Sequence, residues 1–486
     1  MLQIMKEMTK MNIKKLVKGK KVVAIVCNQW GDTGKGKISD CLSAYWADVI
    51  ARGTGGNNAG HTVIVNGKEK IFHLLPSGIT YDSKGKISVL GNGIVIDLKA
   101  LLKELDELDS ENMSYKNLMI SKDANVIMPY HIKRDQAKNQ SQKKGGIGST
   151  GRGIGPCYTD KIARRGITIE DLYDDDALKK KLLKALEFYP EQKIDVDFLV
   201  ERLKPYSKRI KPFVKDTVNK MHEFHRKGKK ILLEGAHGLL LSVEHGTYPY
   251  VTSSDSSLNG TATGVGLSAQ DVDLSLGIVK FPFMTRVGAG PFPSELGGRD
   301  SEEYCAEEST KIDELNKYGI AYEEKDGEIK YDRKDKKIIE MMNSNDKFIQ
   351  GVGVRLAAGE YGATTGRPRR IGWTDAIAVK YASGINGKKV VLTKVDCISG
   401  AKEFKICYGY GIGKKVYKEF NKDSKFLYKV EQKFKTYKGY GDLKKIKTYN
   451  QLPISLKKAI NDFEKFTGCE VVAISTGPDK DELIIR

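Results

Sequence analysis

The short segment Gly31 to Lys37 carries the residue types that bind phosphate groups. It reads GDTGKGK, follows a β-branched apolar run and precedes a run that is compatible with a helix. Glycines let backbone N–H groups converge on phosphate oxygens, and the start of a helix adds a favourable dipole. Lys35 and Lys37 would add positive charge, so the segment predicts a phosphate-binding loop.

Two residues distinguish this loop from an ordinary P-loop. Ile38 stands where a magnesium-binding Ser or Thr normally follows the lysine. Asp32 places a carboxylate inside the phosphate cradle, where it would repel phosphate unless it binds a metal ion or accepts a substrate proton. We therefore expect a chemical role for Asp32. Taken by itself, the segment also fits a glycine-rich structural turn.

A group of arginines near residue 367 has the chemistry of a carboxylate site. The segment from Thr364 to Arg370 reads TTGRPRR. Guanidinium groups bind carboxylates through paired hydrogen bonds, which suits a ligand with two carboxylates. A basic surface loop is the alternative interpretation.

The elements that would position these residues alternate between strands and helices. Short buried strands are predicted at 22–26, 87–90, 231–233, 390–392 and 471–474, and helices at 38–45, 98–108 and 177–188. Such alternation is typical of a parallel sheet that is covered on both faces. We predict an α/β fold with a large, mostly parallel central sheet, flanking helices, a P-loop-like glycine-rich loop and small appended subregions.

The chain of 486 residues is predicted to contain a basic N-terminal extension at 1–20 and one large domain at 21–486. Residues 297–352 are polar, charged and poor in apolar periodicity, which suggests a surface insertion. Residues 401–449 interleave lysines with tyrosines and phenylalanines. This pattern fits single-stranded nucleic acid binding or, as we favour, a β-rich edge whose aromatic side chains face a core.

The net charge of +20 favours anionic partners, but the lysines are spread widely and are expected to be mostly solvated surface. Nucleic acid binding therefore remains the alternative to binding of phosphorylated small molecules. The seven cysteines are scattered and never spaced C-x-x-C, which favours a reducing compartment. Because no run of about eighteen apolar residues occurs, we expect a cytoplasmic protein without a membrane span.

A succession of ordered motifs resembles the adenylosuccinate synthetase family. The motifs are QWGDTGKGK at 29–37, GGNNAGHT at 55–62, HLLPSG at 73–78, GSTGRGIGPCYTDKIARRG at 148–166, HGTYPYVTSS at 245–254, TRVGAGPFPSEL at 285–296, GATTGRPRR at 362–370, TKVD at 393–396 and STGPDK at 475–480. They are distributed over nearly the whole chain from residue 21 to the end. One glycine loop would be a weak signal, whereas this succession is very specific.

The resemblance implies a two-step ligase reaction. GTP phosphorylates the 6-oxygen of a purine monophosphate, and the amine of L-aspartate then displaces that phosphate. By resemblance, Asp32 removes the N1 proton and His61 donates a hydrogen bond to the oxygen that bridges the β- and γ-phosphates. Asp32 and the Gly60 carbonyl would bind Mg²⁺, a hard cation that prefers oxygen ligands. TKVD resembles the guanine-recognition tetrapeptide of GTP-binding proteins, in which Asp396 would read guanine.

The resemblance also assigns the other candidate residues. GTP binding is expected at Gly31, Thr33, Gly34, Lys35, Gly36, Lys37, Gly60, His61, Thr62, Arg369, Lys394, Val395, Asp396, Ser475, Thr476 and Gly477. Purine monophosphate binding is expected at Asp32, Asn58, Ala59, Thr150, Arg164, His237, Thr252 and Arg367. Aspartate binding is expected at Ala363, Thr364, Thr365, Gly366, Arg367 and Arg369. Arg164 is expected to cross a dimer interface, which implies a homodimer.

Several positions depart from the family pattern. Thr33 stands where the family usually has Glu, and His237 replaces the usual Gln. Asp255 replaces the usual Asn, the family's Pro-Gly-Trp is missing, and the stretch between Leu296 and Gly362 is longer than usual. Relatives exist that act on guanine-type monophosphates. Because Asp32 is retained, we favour IMP as the substrate over GMP or dGMP.

Overall fold

The computed structural model of the protein describes residues 2–65, 68–141, 150–307, 309–325, 328–362 and 366–486. Their centre is a ten-stranded sheet. In spatial order its strands are Leu483–Ile485, Glu470–Ser475, Lys389–Thr393, Leu274–Lys280, Val22–Cys27, Ile231–Glu234, Val49–Arg52, Ile87–Leu90, Leu118–Ser121 and Val214–Lys215. Every neighbouring pair is parallel except the first, in which the C-terminal strand runs antiparallel.

The central strands are apolar because helices cover the sheet. The strand Val22–Cys27 reads VVAIVC and is buried along its whole length. The α-helices of the described residues are Leu2–Leu16, Lys35–Tyr45, Leu98–Ser110, Pro129–Ser141, Ile154–Ile162, Asp175–Leu186, Val196–Ile210, Thr217–Arg226, Leu258–Thr263, Gly298–Ala306, Lys311–Lys317, Lys336–Met342, Lys347–Ala358, Ala376–Asn386, Ser424–Leu427 and Ile454–Thr467. The predicted parallel sheet with flanking helices is thus confirmed. None of the helices in the described part of the chain is both long and apolar enough to cross a membrane.

A second sheet accounts for the lysine- and aromatic-rich segment 401–449. Its five strands are Phe283–Arg286, Arg370–Asp375, Glu403–Ile412, Lys415–Tyr417 and Glu431–Lys438. Phe404, Tyr410 and Tyr437 are buried, and the rings of Phe404 and Tyr437 stack. The preferred prediction of a β-rich region is confirmed, and these aromatic side chains face a core, whereas Tyr417, Tyr428 and Phe434 are exposed.

Among the described residues, three further two-stranded pairs lie outside these sheets. They are His61–Val65 with Lys68–Phe72 and Tyr322–Lys325 with Glu328–Tyr331, both antiparallel, and Val95–Ile96 with Asn125–Val126, which is parallel. The hairpin at 322–331 belongs to segment 297–352, which is otherwise mainly helical. Leu315 and Ile338 of this segment pack in the same core cluster as Trp373. Segment 297–352 therefore has an apolar side that is shared with the rest of the fold.

The N-terminal segment also contributes to the core. Ile13 and Val17 are buried in the cluster that covers one face of the central sheet. The hydroxyl of Thr9 donates to the carbonyl oxygen of Asp481 at 3.1 Å. The helix Leu2–Leu16 is thereby fixed beside the last strand.

The candidate site residues gather at the carboxyl edge of the central sheet. The phosphate loop follows the strand Val22–Cys27, and the tetrapeptide TKVD begins at the end of Lys389–Thr393. Glu234 and Ser475 are the last residues of two further strands. In open α/β sheets, ligands bind beyond the carboxyl ends of the strands. The parallel topology therefore brings together residues that are hundreds of positions apart.

Candidate active site

The phosphate loop turns through residues with a left-handed backbone. Gly31, Asp32 and Gly34 have φ angles of +88°, +47° and +77°. Gly34 then caps the helix Lys35–Tyr45. Glycine adopts this conformation readily, but for Asp32 it costs about 1–3 kcal/mol. Such a conformation marks a carboxylate that its surroundings hold in place.

Two contacts fix the loop between its neighbours. A Cβ atom on Gly36 would lie 2.5 Å from the carbonyl oxygen of Thr62, so only glycine allows the helix to begin this close to that strand. The hydroxyl of Thr393 donates to the carbonyl oxygen of Thr33 at 2.7 Å. The loop is therefore tied to the strand that starts at His61 and to the first residue of the tetrapeptide.

Asp32 and Arg369 form an ion pair, with Oδ2 and Nε 2.6 Å apart. The side chain of Asp32 is 38 % exposed. Partial burial raises its pKa, but the positive charges of Arg369, Lys280 and Lys35 outweigh this effect and hold the pKa below its ordinary value. Asp32 is therefore ionised at neutral pH, as a proton acceptor or a cation ligand must be.

His61 is oriented by a buried carboxylate. Its Nδ1 atom makes a short contact with Oε1 of Glu234, and the hydroxyls of Ser39 and Ser77 donate to the same carboxylate at 2.7 and 2.9 Å. Burial raises the pKa of Glu234, but His61, Arg52 and the hydrogen bond from Ser39 lower it to about 2. Burial lowers the pKa of His61 in spite of this carboxylate. Among the described residues Nε2 of His61 has no hydrogen-bond partner, so it is available to a ligand.

His237 places a neutral imidazole beside the phosphate loop. Its backbone is left-handed, with a φ of +55°, and its carbonyl oxygen accepts a hydrogen bond from Lys35 Nζ. Burial, followed by the nearby positive charges, lowers its pKa to about 3. Within the described part of the chain, Nδ1 of His237 has no partner. A ligand at this position would contact an uncharged imidazole ring whose Nδ1 atom can still form a hydrogen bond.

Lys37 connects the phosphate loop to residues 475–482, which are called the C-terminal loop below. Its ammonium group donates to Ser475 Oγ at 2.7 Å, to the Gly477 carbonyl at 2.5 Å and to the Glu482 carbonyl at 2.9 Å. Burial lowers the pKa of Lys37 to about 8. These contacts hold its charge beside Ser475 and Gly477, which the resemblance assigns to GTP binding. Lys35 remains beside the phosphate loop, where it donates to the His237 carbonyl.

The tetrapeptide TKVD forms a tight turn after its strand. Lys394 is left-handed, with a φ of +59°, and Asp396 is half-buried. The carbonyl oxygen of Val395 accepts a hydrogen bond from the Tyr440 hydroxyl at 2.7 Å. Tyr440 lies in the segment that lacks the family's Pro-Gly-Trp, and it supports the turn that presents Asp396.

The segment 362–370, called the arginine loop below, is held by backbone hydrogen bonds between its described residues. Gly362 N donates to the Arg367 carbonyl and Gly366 N donates to the Gly362 carbonyl, both at 2.8 Å. Arg370 points away from the cleft and pairs with Glu295, with Nε–Oε1 and Nη2–Oε2 distances of 2.8 and 2.5 Å. Of the other two arginines, Arg367 is exposed and Arg369 is half-buried. The predicted aspartate-binding residues Ala363, Thr364 and Thr365 lie outside the described residues.

The segment GGNNAGHT places backbone groups beside the site. Asn58 Oδ1 accepts a hydrogen bond from Gly56 N at 3.2 Å, and the carbonyl oxygen of Ala59 lies 2.8 Å from His73 Nδ1. Gly60 is exposed. The segment thus positions the Gly60 carbonyl and the ring of His61 from one rigid turn.

The remaining predicted nucleotide residues lie on separate elements. Thr252 is half-buried, and its N–H donates to the Leu241 carbonyl at 2.8 Å. Thr150 and Arg164 are exposed, and Arg164 has a φ of +61° just beyond the helix Ile154–Ile162. Arg164 is thus open to solvent at the end of that helix.

Four charged residues that were not predicted from the sequence organise the site: Arg52, Glu234, Lys280 and Glu360. Glu234 orients His61, and Lys280 Nζ lies 2.6 Å from Glu360 Oε2. Lys280 is fully buried, and burial lowers its pKa although Glu360 counteracts this. Glu234, Lys280 and Arg52 each close a buried apolar strand. A single charge at the end of an apolar run was therefore the available signal.

The donor chemistry of the site fits Mg²⁺. The described residues contain no group of three or more His, Cys, Asp or Glu side chains that could hold a metal ion by themselves. Mg²⁺ usually takes one or two carboxylates together with substrate phosphates and waters. The ionised carboxylate of Asp32 and the exposed main chain at Gly60 offer oxygen donors of this kind.

Known proteins resemble this chain over nearly its whole length. The family model described as adenylosuccinate synthetase matches residues 24–484. The adenylosuccinate synthetase of Halothermothrix orenii is 39 % identical over 478 residues, which cover 96 % of this chain and 99 % of that protein. The adenylosuccinate synthetase of Syntrophobacter fumaroxidans is 37 % identical over 475 residues, with coverages of 95 % and 98 %.

Solved structures give the same result. The fully ligated adenylosuccinate synthetase from Plasmodium falciparum superimposes with a TM-score of 0.79 at 31 % identity and covers 96 % of this chain and 100 % of that one. The succinoaminodeoxyadenylate synthetase of cyanophage S-2L, bound to dGMP and dATP, has a TM-score of 0.54 at 20 % identity and coverages of 96 % and 95 %. At that identity the second likeness shows the fold alone.

Proposed function

The chain belongs to the adenylosuccinate synthetase family, and we propose that it uses GTP to join L-aspartate to the 6-position of IMP. The products are adenylosuccinate, GDP and phosphate. The observation that carries the proposal is the ion pair between Asp32 of the phosphate loop and Arg369 of the arginine loop. This contact brings a proton acceptor, a phosphate-binding loop and a carboxylate-binding loop to one place.

In the first step, Asp32 takes the N1 proton of IMP, and the electron pair that is released makes the 6-oxygen nucleophilic. The 6-oxygen attacks the γ-phosphorus, and the bond to the bridging oxygen breaks as GDP leaves. The negative charge of the triphosphate adds to that of Glu234 and favours protonation of His61. Protonated His61 then stabilises the charge that develops on the bridging oxygen.

In the second step, the amine of aspartate attacks C6 and phosphate leaves with the C–O electron pair, while the amine loses a proton. Arg367 and Arg369 would bind the two carboxylates of aspartate, since both guanidinium groups belong to the arginine loop. Because Arg369 pairs with Asp32 in this structure, it must exchange one carboxylate for another when aspartate binds.

Guanine is proposed to bind between the tetrapeptide and the C-terminal loop. Asp396 would accept hydrogen bonds from guanine N1–H and the 2-amino group, a donor pair that adenine lacks. Lys37 holds Ser475 and Gly477 at the other side of this pocket. Mg²⁺, held by Asp32, the Gly60 carbonyl and the phosphates, would neutralise charge on the triphosphate.

The direct test is to incubate the purified protein with IMP, GTP, Mg²⁺ and L-aspartate and to monitor succinyl-purine absorbance and phosphate release. We expect product that depends on all four components. If neither IMP nor a guanine monophosphate supports product or phosphate release, the proposed function is wrong.

His237 makes GMP and dGMP the necessary comparison substrates. It replaces the glutamine that the family usually has, and among the described residues its buried Nδ1 atom has no hydrogen-bond partner. Retention of Asp32 supports IMP, so kcat/KM for IMP should exceed that for GMP and dGMP. His237→Ala should lower kcat/KM for IMP by about 5- to 150-fold, the effect of losing one buried hydrogen bond. A wild-type preference for GMP or dGMP would reassign the substrate.

A homodimer is proposed because the family resemblance places Arg164 in the nucleotide site of a partner chain, and because this side chain is exposed just beyond the helix Ile154–Ile162. If Arg164 enters the site of the partner subunit, a mixture of inactive Asp32→Asn and Arg164→Ala variants should regain up to about a quarter of wild-type activity through mixed dimers. No recovery in a mixture that forms mixed dimers would contradict this arrangement.

A further inference from the structure

A buried carboxylate lies between the tetrapeptide and the arginine loop. Glu360 is 6 % exposed, and its Oε2 atom lies 2.6 Å from Nζ of Lys280, which is fully buried. Its Oε1 atom lies 3.5 Å from Nζ of Lys394. One carboxylate thus contacts two cations from two different strand ends.

The first cation is fixed to the base of the phosphate loop. Lys280 N donates to Gln29 Oε1, and Gln29 Nε2 donates to the Lys280 carbonyl, both at 2.9 Å. Lys280 Nζ also donates to the Thr285 hydroxyl at 2.9 Å. Lys280 therefore provides a rigid support for Glu360 that does not depend on any ligand.

The second cation belongs to the predicted guanine pocket. Lys394 is the second residue of TKVD, and its Nζ also donates to the Ala358 carbonyl at 3.1 Å. Both Ala358 and Glu360 lie at the end of the helix Lys347–Ala358, directly before the arginine loop. A base that packs on the stem of Lys394 will therefore act on the start of that loop.

The backbone of Glu360 continues the connection to the arginines. Its carbonyl oxygen accepts a hydrogen bond from Arg369 N at 3.0 Å. Arg369 in turn reaches Asp32 through its guanidinium group. The path from Lys394 to Arg369 thus contains one side-chain contact and one backbone hydrogen bond, both through Glu360.

We propose that Glu360 is a positioning residue that couples occupation of the guanine pocket to the placement of Arg369, and so to the affinity for aspartate. The inference rests on the proposed function. The carboxylate of Glu360 cannot move away from Lys280 without leaving both groups of that buried pair unpaired, and the same carboxylate contacts Lys394, whose side chain is 32 % exposed. Displacement of Lys394 by a bound base is therefore passed to the loop instead of being absorbed locally. Such coupling between two sites typically changes an affinity by about 5- to 150-fold.

The coupling can be measured without turnover. Aspartate is titrated calorimetrically into the enzyme with IMP and Mg²⁺, once without and once with saturating GDP, which carries guanine but no γ-phosphate. In the wild type we expect GDP to tighten aspartate binding by about fivefold or more. In Glu360→Gln, which keeps the size of the side chain, the ratio should fall to about one.

The matched control is Glu104→Gln. Glu104 is a buried carboxylate that accepts hydrogen bonds from the backbone of Leu74 and Leu75, far from the arginine loop in sequence. This variant should lose stability but keep the wild-type ratio. If Glu360→Gln does not fold, Lys280→Met/Glu360→Gln removes the buried pair together, which is often tolerated. That double variant should also have a ratio of about one.

Two results would overturn the inference. One is a wild-type enzyme that forms adenylosuccinate but binds aspartate equally with and without GDP. The other is a folded Glu360 variant that keeps the wild-type ratio. Failure of the proposed function is distinguishable, because the wild type would then form no succinyl-purine product at all.

Discussion

The Nε atom of Arg369 lies 2.6 Å from Oδ2 of Asp32, across 337 positions of the chain. The two residues belong to the segments that sequence analysis assigned to aspartate and to phosphate. Their contact shows that the two segments meet in the fold, and it gives the carboxylate of Asp32 a cationic partner that anionic substrates would also attract. The reactivity of Asp32 is therefore linked to what Arg369 binds.

Asp32→Asn should lower kcat by at least about 10²–10⁴-fold, because an amide cannot accept the N1 proton. The melting temperature should change little, since partly exposed ion pairs stabilise proteins by only about 0–1 kcal/mol. Turnover is measured as succinyl-purine formation, with Asp442→Asn as a control that removes an exposed pair with Lys334. Near-normal turnover of Asp32→Asn would show that another group is the base.

Glu234→Gln should lower kcat by about 10²–10³-fold with little change in any KM. The amide no longer supplies the negative charge that favours protonated His61. Ser39→Ala is the matched control, because it removes a hydrogen bond to the same carboxylate but leaves its charge. We expect a much smaller effect from this control, measured as kcat at saturating substrates. Equal losses in the two variants would argue for a packing role of Glu234.

Lys37→Met should raise the KM for GTP by about tenfold or more, as expected for loss of hydrogen bonds from a charged group. In the wild type this KM should also rise as pH increases through about 8, where Lys37 loses its proton. The neutral amine has two N–H groups for its three acceptors. Lys389→Met, which removes an exposed pair with Glu470, is the control. A GTP KM that is constant between about pH 7 and 9 would contradict the role of Lys37.

Asp375 should make the folded protein less stable as pH rises from about 4 to 6. Burial raises its pKa to about 6, although its carboxylate accepts hydrogen bonds from Tyr410 and two backbone N–H groups. An unfolded Asp titrates near 3.9, so between these values the folded chain holds the additional proton. The free energy of unfolding should therefore fall by about 2–3 kcal/mol across this window.

The measurement for Asp375 is urea unfolding at several pH values. Asp375→Asn should flatten the pH dependence between about 4 and 6, because no proton is then released. Asp442→Asn, at an exposed carboxylate, should leave the slope unchanged. An Asp375→Asn variant with the wild-type slope would assign the effect to other groups.

Local sequence was sufficient to predict the elements and the chemistry of the loops. The apolar run at Val22 predicts a buried strand because both faces of a parallel sheet are covered, and the glycines from 31 to 36 predict a turn that admits phosphate. The motifs QWGDTGKGK, TKVD and TTGRPRR identify the family, because motif order and residue type are properties of the chain alone. The strands of segment 401–449 were predicted for the same reason, but the pattern did not separate its buried aromatic side chains from the exposed ones.

Long-range partners could not be read from these local patterns. The positive charge of Lys37 is suited to binding phosphate, yet in the fold its ammonium group contacts Ser475 and Gly477, which lie 438 and 440 positions away. Glu234 acts on the site by contacting His61, and Glu360 does so by contacting Lys394. The residues beside Glu234 and Glu360 in the sequence do not identify these partners.

By itself, the sequence determined which groups are present: a carboxylate in a glycine loop, a histidine, a guanine tetrapeptide and a set of arginines. The tertiary structure decided which of these groups face one another, because the carboxyl ends of parallel strands meet at one edge irrespective of their order in the chain. It also decided the charge states, since burial and neighbouring charges set a pKa and both depend on packing. Residue types thus fixed the available chemistry, and the sheet topology fixed its geometry.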